Sequence, residues 1–177
     1  MNQPPSATAI SGPMLVVLQV LNGLYALCIA GLVVFCLVNP DFVFRAMKLP
    51  RGPSSAGLAA CLLWIATLGF LAAVLVHFVL GQLRAIVATV RDGNPFVLRN
   101  ARRLRTIAWL VLAGEGLRLA IGGVVEIAKP LAMKAGIPVH IDIDFSLAPW
   151  LAVLLLFVLA RVFADGARMR DDLEGTV

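Results

Sequence analysis

Charged side chains are scarce in this chain of 177 residues, of which they make up only 14%. Apolar residues make up 60%, and the mean hydropathy is +0.94. A soluble domain of this size would expose far more apolar surface than water tolerates. The composition therefore excludes an ordinary soluble protein and predicts an integral membrane protein in contact with the lipid bilayer.

Motifs that carry catalysis or bind metals are also missing. The chain holds two His and three Cys, with no H-E-x-x-H, no G-x-S-x-G and no C-x-x-C. Cys28, Cys36 and Cys61 all fall in apolar stretches, where a buried thiol behaves as a small apolar side chain. We therefore expect neither an enzyme nor a bound metal or cofactor.

Four apolar stretches are long enough to span a membrane, which takes about 20 residues per helix. They cover residues 14–38, 55–80, 106–127 and 146–164. The sequence thus predicts an all-α integral membrane protein, with one four-helix domain over residues 14–170. We expect residues 1–13, rich in Pro, Ser and Ala, to form a disordered tail without the basic region of a signal peptide, and residues 171–177 to form a short C-terminal tail.

The distribution of Lys and Arg sets the expected orientation. With a cytoplasmic N-terminus, the cytoplasmic side carries nine cations: Arg84, Arg91, Arg99, Arg102, Arg103, Arg105, Arg161, Arg168 and Arg170. The outer side then carries five: Arg45, Lys48, Arg51, Lys129 and Lys134. Because Lys and Arg are in excess in cytoplasmic loops, we predict that both termini lie in the cytoplasm.

The segment between the second and third stretches, residues 81–105, predicts a helical hairpin that extends both spans. Apolar residues recur at i, i+3, i+4 and i+7 along residues 83–90, so the second helix continues with an apolar stripe. Gly93 can take the αL conformation that ends a helix. Asn94 and Pro95 then offer an N-cap and a first-turn proline for the next helix.

This hairpin holds six of the fifteen Lys and Arg residues. It can project about 15 Å into the cytoplasm or lie flat on anionic lipid as an interfacial helix, and we favour the projecting form. Topology and anionic lipid already account for basic residues that flank membrane spans. Because no helix-turn-helix or stacking-aromatic pattern accompanies them, we expect no direct binding of nucleic acid.

The third apolar stretch is the only one with ionisable residues near its centre. Four of its residues share one helical face that should point into the bundle: Glu115, Arg118, Gly122 and Glu126. A lone charge there costs several kcal/mol, so Glu115 and Arg118 are expected to pair, while Glu126 is hydrated near the outer interface. The pair either fixes the register of the helices or couples to a ligand, an ion or a signal.

Two connections lie on the outer side. The first, residues 39–55, begins and ends with turn formers and is expected to be a short surface loop. In the second, apolar and polar residues alternate over residues 139–145 as in a half-buried strand. His140, Asp142 and Asp144 then share one face. Since this set matches no established metal motif, a solvated polar face is favoured over a metal site.

Two motifs occur at the hairpin and at the C-terminus. The first is a GxPF corner followed by an NxxRLR run, with the members Gly93, Asn94, Pro95, Phe96, Asn100, Arg102, Arg103 and Arg105. The second is an FxxGxxLxxDxxxTV ending, in which Met169 replaces Leu and the other members are Phe163, Gly166, Asp172, Thr176 and Val177. Together they resemble a bacterial membrane family known only as domain of unknown function 2975.

The resemblance implies a small four-span protein of the bacterial inner membrane, with both motifs on the cytoplasmic side and no assigned activity. Members are often encoded beside a small helix-turn-helix regulator of the Xre/Cro type, which implies a soluble DNA-binding partner. We favour a regulatory or interaction protein that docks through its basic hairpin. The alternative is a small transporter or channel subunit that uses Glu115 and Arg118, and the sequence leaves the oligomeric state open.

Cysteine labelling of intact cells checks the orientation. In a variant without the three native Cys, Asn94→Cys is expected to be protected from an impermeant external reagent, because the cation-rich side faces the cytoplasm. Gly136→Cys, in the second outer connection, is expected to react. The reverse pattern would overturn the cytoplasmic placement of the hairpin and of both termini.

Overall fold

The computed structural model describes residues 7–46, 52–137 and 146–174. Within these ranges every regular element is an α-helix. The five helices are α1 (Ala7–Val38), α2 (Asp41–Ala46), α3 (Pro53–Arg91), α4 (Leu98–Lys134) and α5 (Ala148–Glu174). Of these, α1, α3, α4 and α5 are long and apolar enough to cross a membrane, which confirms the predicted all-α fold with four membrane-length helices.

Helix α1 suits a lipid environment better than water. No residue between 12 and 38 is buried against the rest of the protein, although its spanning segment has a mean hydropathy of 2.3. Such an apolar helix would be left uncovered in an aqueous solution, whereas in a bilayer its side chains meet acyl chains. The chain is therefore a multi-pass membrane protein.

Both ends of the chain are more helical than predicted. Helix α1 begins at Ala7 and so includes residues 7–13, which were predicted as part of a disordered tail. Alanine is a strong helix former, and Pro13 removes only one backbone donor from the helix that runs through it. Helix α5 likewise continues to Glu174, well into the predicted C-terminal tail.

The first connection contains the short helix α2, whereas the prediction for this connection was a short surface loop. The N–H of Phe42 donates to the carbonyl oxygen of Asn39 at 2.9 Å and closes its first turn. Asp41 lies in that turn, where a carboxylate meets the positive end of the helix dipole. The ring of Phe42 packs edge-on against Phe35, with centroids 4.8 Å apart. These contacts hold α2 against the end of α1.

The chain forms two compact units, each built from segments distant in sequence. The first unit contains residues 1–22, 75–114 and 146–177, and the second contains residues 23–74 and 115–145. Because α1, α3 and α4 each supply residues to both units, the single domain over residues 14–170 stays a prediction.

The core of the first unit is formed mainly by the beginning of α4 and by α5. Helix α4 contributes Ala101, Leu104, Ile107 and Ala108, which are all buried. Helix α5 contributes Val153, Ala160 and Ala167, which recur every seven residues and are also buried. A seven-residue repeat keeps one stripe of a helix facing its neighbours. The first unit is therefore a bundle whose buried seam combines four alanines with the larger Leu104, Ile107 and Val153.

The core of the second unit is formed by α3 and α4. One cluster of buried residues there consists of Leu58, Cys61, Ala128 and Ala132. A Cβ added to Gly57 would lie 3.1 Å from Cδ1 of Leu131, so this glycine gives Leu131 its space. Small residues let helices approach closely in a bilayer, where packing replaces the hydrophobic drive. Cys61 behaves as the expected apolar thiol, whereas Cys28 is exposed and Cys36 is half-buried.

Candidate functional site

Helix α3 continues past the predicted end of its span and stops at Arg91. Gly93 has a φ of 76°, and its N–H donates to the carbonyl oxygen of Val90 at 3.1 Å. The N–H of Asn94 donates to the carbonyl oxygen of Thr89 at 3.0 Å. These two bonds form a Schellman motif. The prediction that Gly93 ends this helix is therefore confirmed.

The prediction that Asn94 and Pro95 begin the next helix was wrong, since α4 begins at Leu98. The backbone of Asn94 already closes α3, and its Oδ1 accepts a hydrogen bond from Nη1 of Arg170 at 2.7 Å. The carbonyl oxygen of Pro95 accepts from Nδ2 of Asn100 at 2.9 Å. Asn100 and Arg170, which lie outside the turn, thus hold it in place through these bonds.

Asn100 is the most deeply buried polar residue of the hairpin, with 0% of its surface exposed. Its Nδ2 donates to Oγ1 of Thr89 at 2.7 Å as well as to the carbonyl of Pro95. Its Oδ1 accepts from Nη1 of Arg103 at 3.0 Å. The same Nη1 donates to the carbonyl oxygen of Ala85 at 2.8 Å. Asn100 and Arg103 thus connect α4 to α3 at two positions, Thr89 and Ala85, which lie about one helical turn apart.

The two motifs contact each other at Phe96. Its ring packs on that of Phe163, with centroids 5.2 Å apart. A Cβ added to Gly166 would lie 3.0 Å from Cδ1 of Phe96, so the ring fits against α5 because residue 166 has no side chain. The bond from Arg170 to Asn94 lies close by along α5. The sequence predicted both motifs on one side of the membrane, but it did not predict that they touch.

The remaining members of the C-terminal motif are placed only in part. Asp172 is exposed near the end of α5. Thr176 and Val177 lie outside the described residues. The predicted strand with His140, Asp142 and Asp144 also lies outside them and stays a prediction. Within the described ranges, no group of three His, Cys, Asp or Glu could hold a metal ion.

The three arginines of the NxxRLR run have different surroundings. Arg103 is partly buried in the network with Asn100, whereas Arg102 and Arg105 are exposed. With Arg161 of α5, these two line a groove of about 270 Å³. The other lining residues are apolar: Leu98, Ala101, Phe157, Ala160 and Ala164. Arg103 thus differs from the other two arginines in its hydrogen bonds to Asn100 and Ala85, and the docking set stays a prediction.

The charge of the chain is concentrated in the hairpin. Residues 81–105 carry six Arg and a single carboxylate, Asp92. This excess of five equals the formal net charge of +5 for the whole chain, and the remaining nine cations and nine carboxylates balance. The field that the protein projects is thus dominated by this one segment.

The predicted ion pair in α4 forms. Nη2 of Arg118 donates to Oε1 of Glu115 at 2.7 Å, and Nε donates to Oε2 at 2.9 Å. The side chain of Glu115 is 4% exposed and that of Arg118 is 34% exposed. Glu126 pairs with Lys129 at 2.7 Å and is 63% exposed, and Gly122 is half-buried. Glu115 is thus the buried member of the four, and a shared role for them stays a prediction.

The sequence analysis did not predict a role for Thr89, although its hydroxyl accepts a hydrogen bond from Asn100. A usable signal exists, because the two positions are equally far from the turn centred at residues 94 and 95. Residues at equal distance from a tight turn lie opposite each other in an antiparallel pair. The partnership between Gln19 and His77, whose side-chain nitrogens lie 3.3 Å apart, has no such signal.

Asn100→Ala is expected to destabilise the hairpin. It leaves the Thr89 hydroxyl and the Pro95 carbonyl without this buried partner, and we expect a loss of about 1–3 kcal/mol in unfolding free energy in detergent. Arg105→Gln is the control, since its side chain is exposed on the same helix. Equal stability of the two variants would show that the network contributes nothing.

A double-mutant cycle tests the ion pair of α4. Arg118→Leu alone leaves the buried Glu115 uncompensated and is expected to destabilise the protein by several kcal/mol. Adding Glu115→Gln should recover much of that loss, measured as thermal unfolding in detergent. Additive losses would contradict an energetic coupling between the two residues.

Comparison with protein-family models matches residues 43–177 to a family described as "Protein of unknown function (DUF2975)". The matched range includes the hairpin, both motifs and the Glu115–Arg118 pair, and it covers well over half of the chain. No curated protein and no solved structure matches.

Proposed function

The chain belongs to the DUF2975 family of proteins of unknown function, and we propose that it recruits a soluble partner to the bacterial inner membrane. The proposed docking surface consists of the exposed arginines of the hairpin: Arg84, Arg91, Arg99, Arg102 and Arg105. The observation that carries the proposal is the charge of residues 81–105, which equals that of the whole chain. The hydrogen bonds of Asn100 and the packing of Phe96 against Gly166 hold the hairpin that carries these arginines.

The proposed side of the membrane is the cytoplasm. The beginning of α1, the hairpin and the end of α5 all belong to the first unit, which agrees with two termini on one side. Arginine-rich segments are retained in the cytoplasm during insertion. The eleven residues of α3 beyond Leu80 correspond to about 16 Å of helix outside the predicted span. The hairpin is then a projecting stalk rather than part of the bilayer core.

The partner that fits this surface is a soluble protein with an acidic patch. A positive face steers an acidic protein and raises its association rate. The small Xre/Cro-type regulator implied by the family resemblance is the candidate, provided that it presents carboxylates away from its DNA-binding side. Membrane binding then controls how much regulator is free to reach DNA.

The alternative function, a transporter or channel subunit built on Glu115 and Arg118, has less support. Both carboxylate oxygens of Glu115 already accept hydrogen bonds from Arg118. A group that carries an ion or a proton needs to exchange such partners, whereas a neutralised pair can fix helix register without exchange.

Charge-removal variants test the docking proposal against the purified, genetically adjacent regulator. Arg84→Gln with Arg99→Gln, and separately Arg102→Gln with Arg105→Gln, each remove two charges and spare the Asn100 network. Each pair is expected to slow association, and the four changes together are expected to abolish binding, because long-range attraction depends on total charge. Added salt should weaken the wild-type complex.

Arg45→Gln is the control, since Arg45 belongs to α2 in the second unit and is also exposed. It is expected to leave association unchanged. Retention of the regulator by the four-fold variant would contradict the proposed docking surface, and so would failure of the wild-type protein to bind it.

A further inference from the structure

We propose that the groove lined by Arg102, Arg105 and Arg161 binds an anionic phospholipid of the inner leaflet, with the phosphate at the arginines and an acyl chain along the apolar floor. This inference goes beyond recruitment of a protein partner. It rests on the cytoplasmic placement of the hairpin proposed above.

The rim of the groove is strongly cationic. Arg102 and Arg105 lie three residues apart on one face of α4, opposite Arg161 on α5. Within the described part of the chain, the carboxylate of Asp165 contacts this rim, with Oδ2 3.3 Å from Nε of Arg161. Asp165 also lies 3.6 Å from Nη1 of Arg168, so one carboxylate is shared by two arginines. The rim therefore keeps an excess of positive charge for a phosphate, which guanidinium groups bind well.

The floor of the groove suits an acyl chain rather than a free anion. Ala101, Ala160 and Ala164 are small and leave space between α4 and α5. The ring of Phe157 lines the same groove and packs edge-on against Trp109, with centroids 5.5 Å apart. A hydrated inorganic anion gains nothing from such a surface, whereas an acyl chain from the bilayer can pack against these apolar side chains without exposing them to water.

The three arginines lie at the depth where lipid phosphates are found. Arg105 immediately precedes the third predicted span, residues 106–127, and Arg161 lies just inside the end of the fourth, residues 146–164. Both positions correspond to the inner membrane surface in the proposed orientation. Anionic lipids of that leaflet attract basic residues there, and a lipid enters from the bilayer without leaving it. The cationic rim, the apolar floor and the position at the membrane surface together favour an anionic phospholipid.

Native mass spectrometry of the delipidated, full-length protein tests the site. Phosphatidylglycerol is titrated against phosphatidylcholine with the same acyl chains. We expect the wild-type protein to bind phosphatidylglycerol at least about tenfold more tightly. Arg102→Gln with Arg105→Gln is expected to lose most of this preference, whereas Arg102→Lys with Arg105→Lys keeps the charge and much of the binding.

Two matched variants separate the groove from general electrostatics. Arg84→Gln with Arg99→Gln removes the same charge from the same hairpin but outside the groove, and should change lipid binding less than about twofold. Ala164→Leu keeps every arginine and fills the apolar floor, and should weaken lipid binding while leaving the regulator bound. This last result also separates failure of the lipid site from failure of the docking surface.

Several outcomes would overturn the proposal. Equal binding of the two lipids would show that the net negative charge of the headgroup plays no part in binding. Equal losses in the two double Gln variants would indicate diffuse attraction rather than a site. Unchanged binding in Ala164→Leu, or displacement of the lipid by millimolar inorganic phosphate, would show that no acyl chain occupies the groove. Each variant is compared at matched thermal stability, so that misfolding is recognised.

Discussion

The buried amide of Asn100 is the interaction on which the arrangement of the hairpin depends. The Schellman motif at Gly93 ends α3 but does not determine where α4 returns. Asn100 does so, because its two donors and its acceptor find partners in α3, in the turn and in α4. Such bonds each contribute about 1 kcal/mol net, yet leaving them unmade at a buried site costs about 1–3 kcal/mol. The penalty for a shifted register is therefore larger than the gain from any single bond, and this asymmetry specifies one register.

That register also decides what each arginine can do. Asn100 and Arg103 are three residues apart and share the face of α4 that contacts α3. Arg102 and Arg105 are likewise three apart, and at about 100° per residue their shared face points away from α3. Because Asn100 and Arg103 face α3, Arg102 and Arg105 lie on the opposite side of α4. There they line a groove together with Arg161 of α5. One structural constraint thus separates an arginine that holds the fold from two that are available to ligands.

The parts of the structure that follow from local signals were predictable. Apolar stretches gave four membrane-length helices, Gly93 gave the end of α3, and the spacing of three gave the Glu115–Arg118 pair. The misses involve residues far apart in sequence. Asn94 has the sequence of an N-cap, but its Oδ1 accepts from Arg170, 76 residues later. The same Asn-Pro dipeptide at residues 39 and 40 does precede a helix, α2, so the dipeptide alone could not tell the two cases apart.

The two proposed ligands share one pool of positive charge, which couples them. The hairpin presents five exposed arginines, and two of these, Arg102 and Arg105, line the lipid groove. An anionic lipid held there would cancel part of the positive field that attracts an acidic protein. The charges of Arg91 and Arg99, beside the turn and outside the groove, would not be neutralised. Long-range attraction depends on the total charge within about a Debye length, roughly 8 Å at physiological salt. Recruitment of the partner would then fall as the groove fills, so that the lipid composition of the inner leaflet would set how strongly the protein binds its soluble partner.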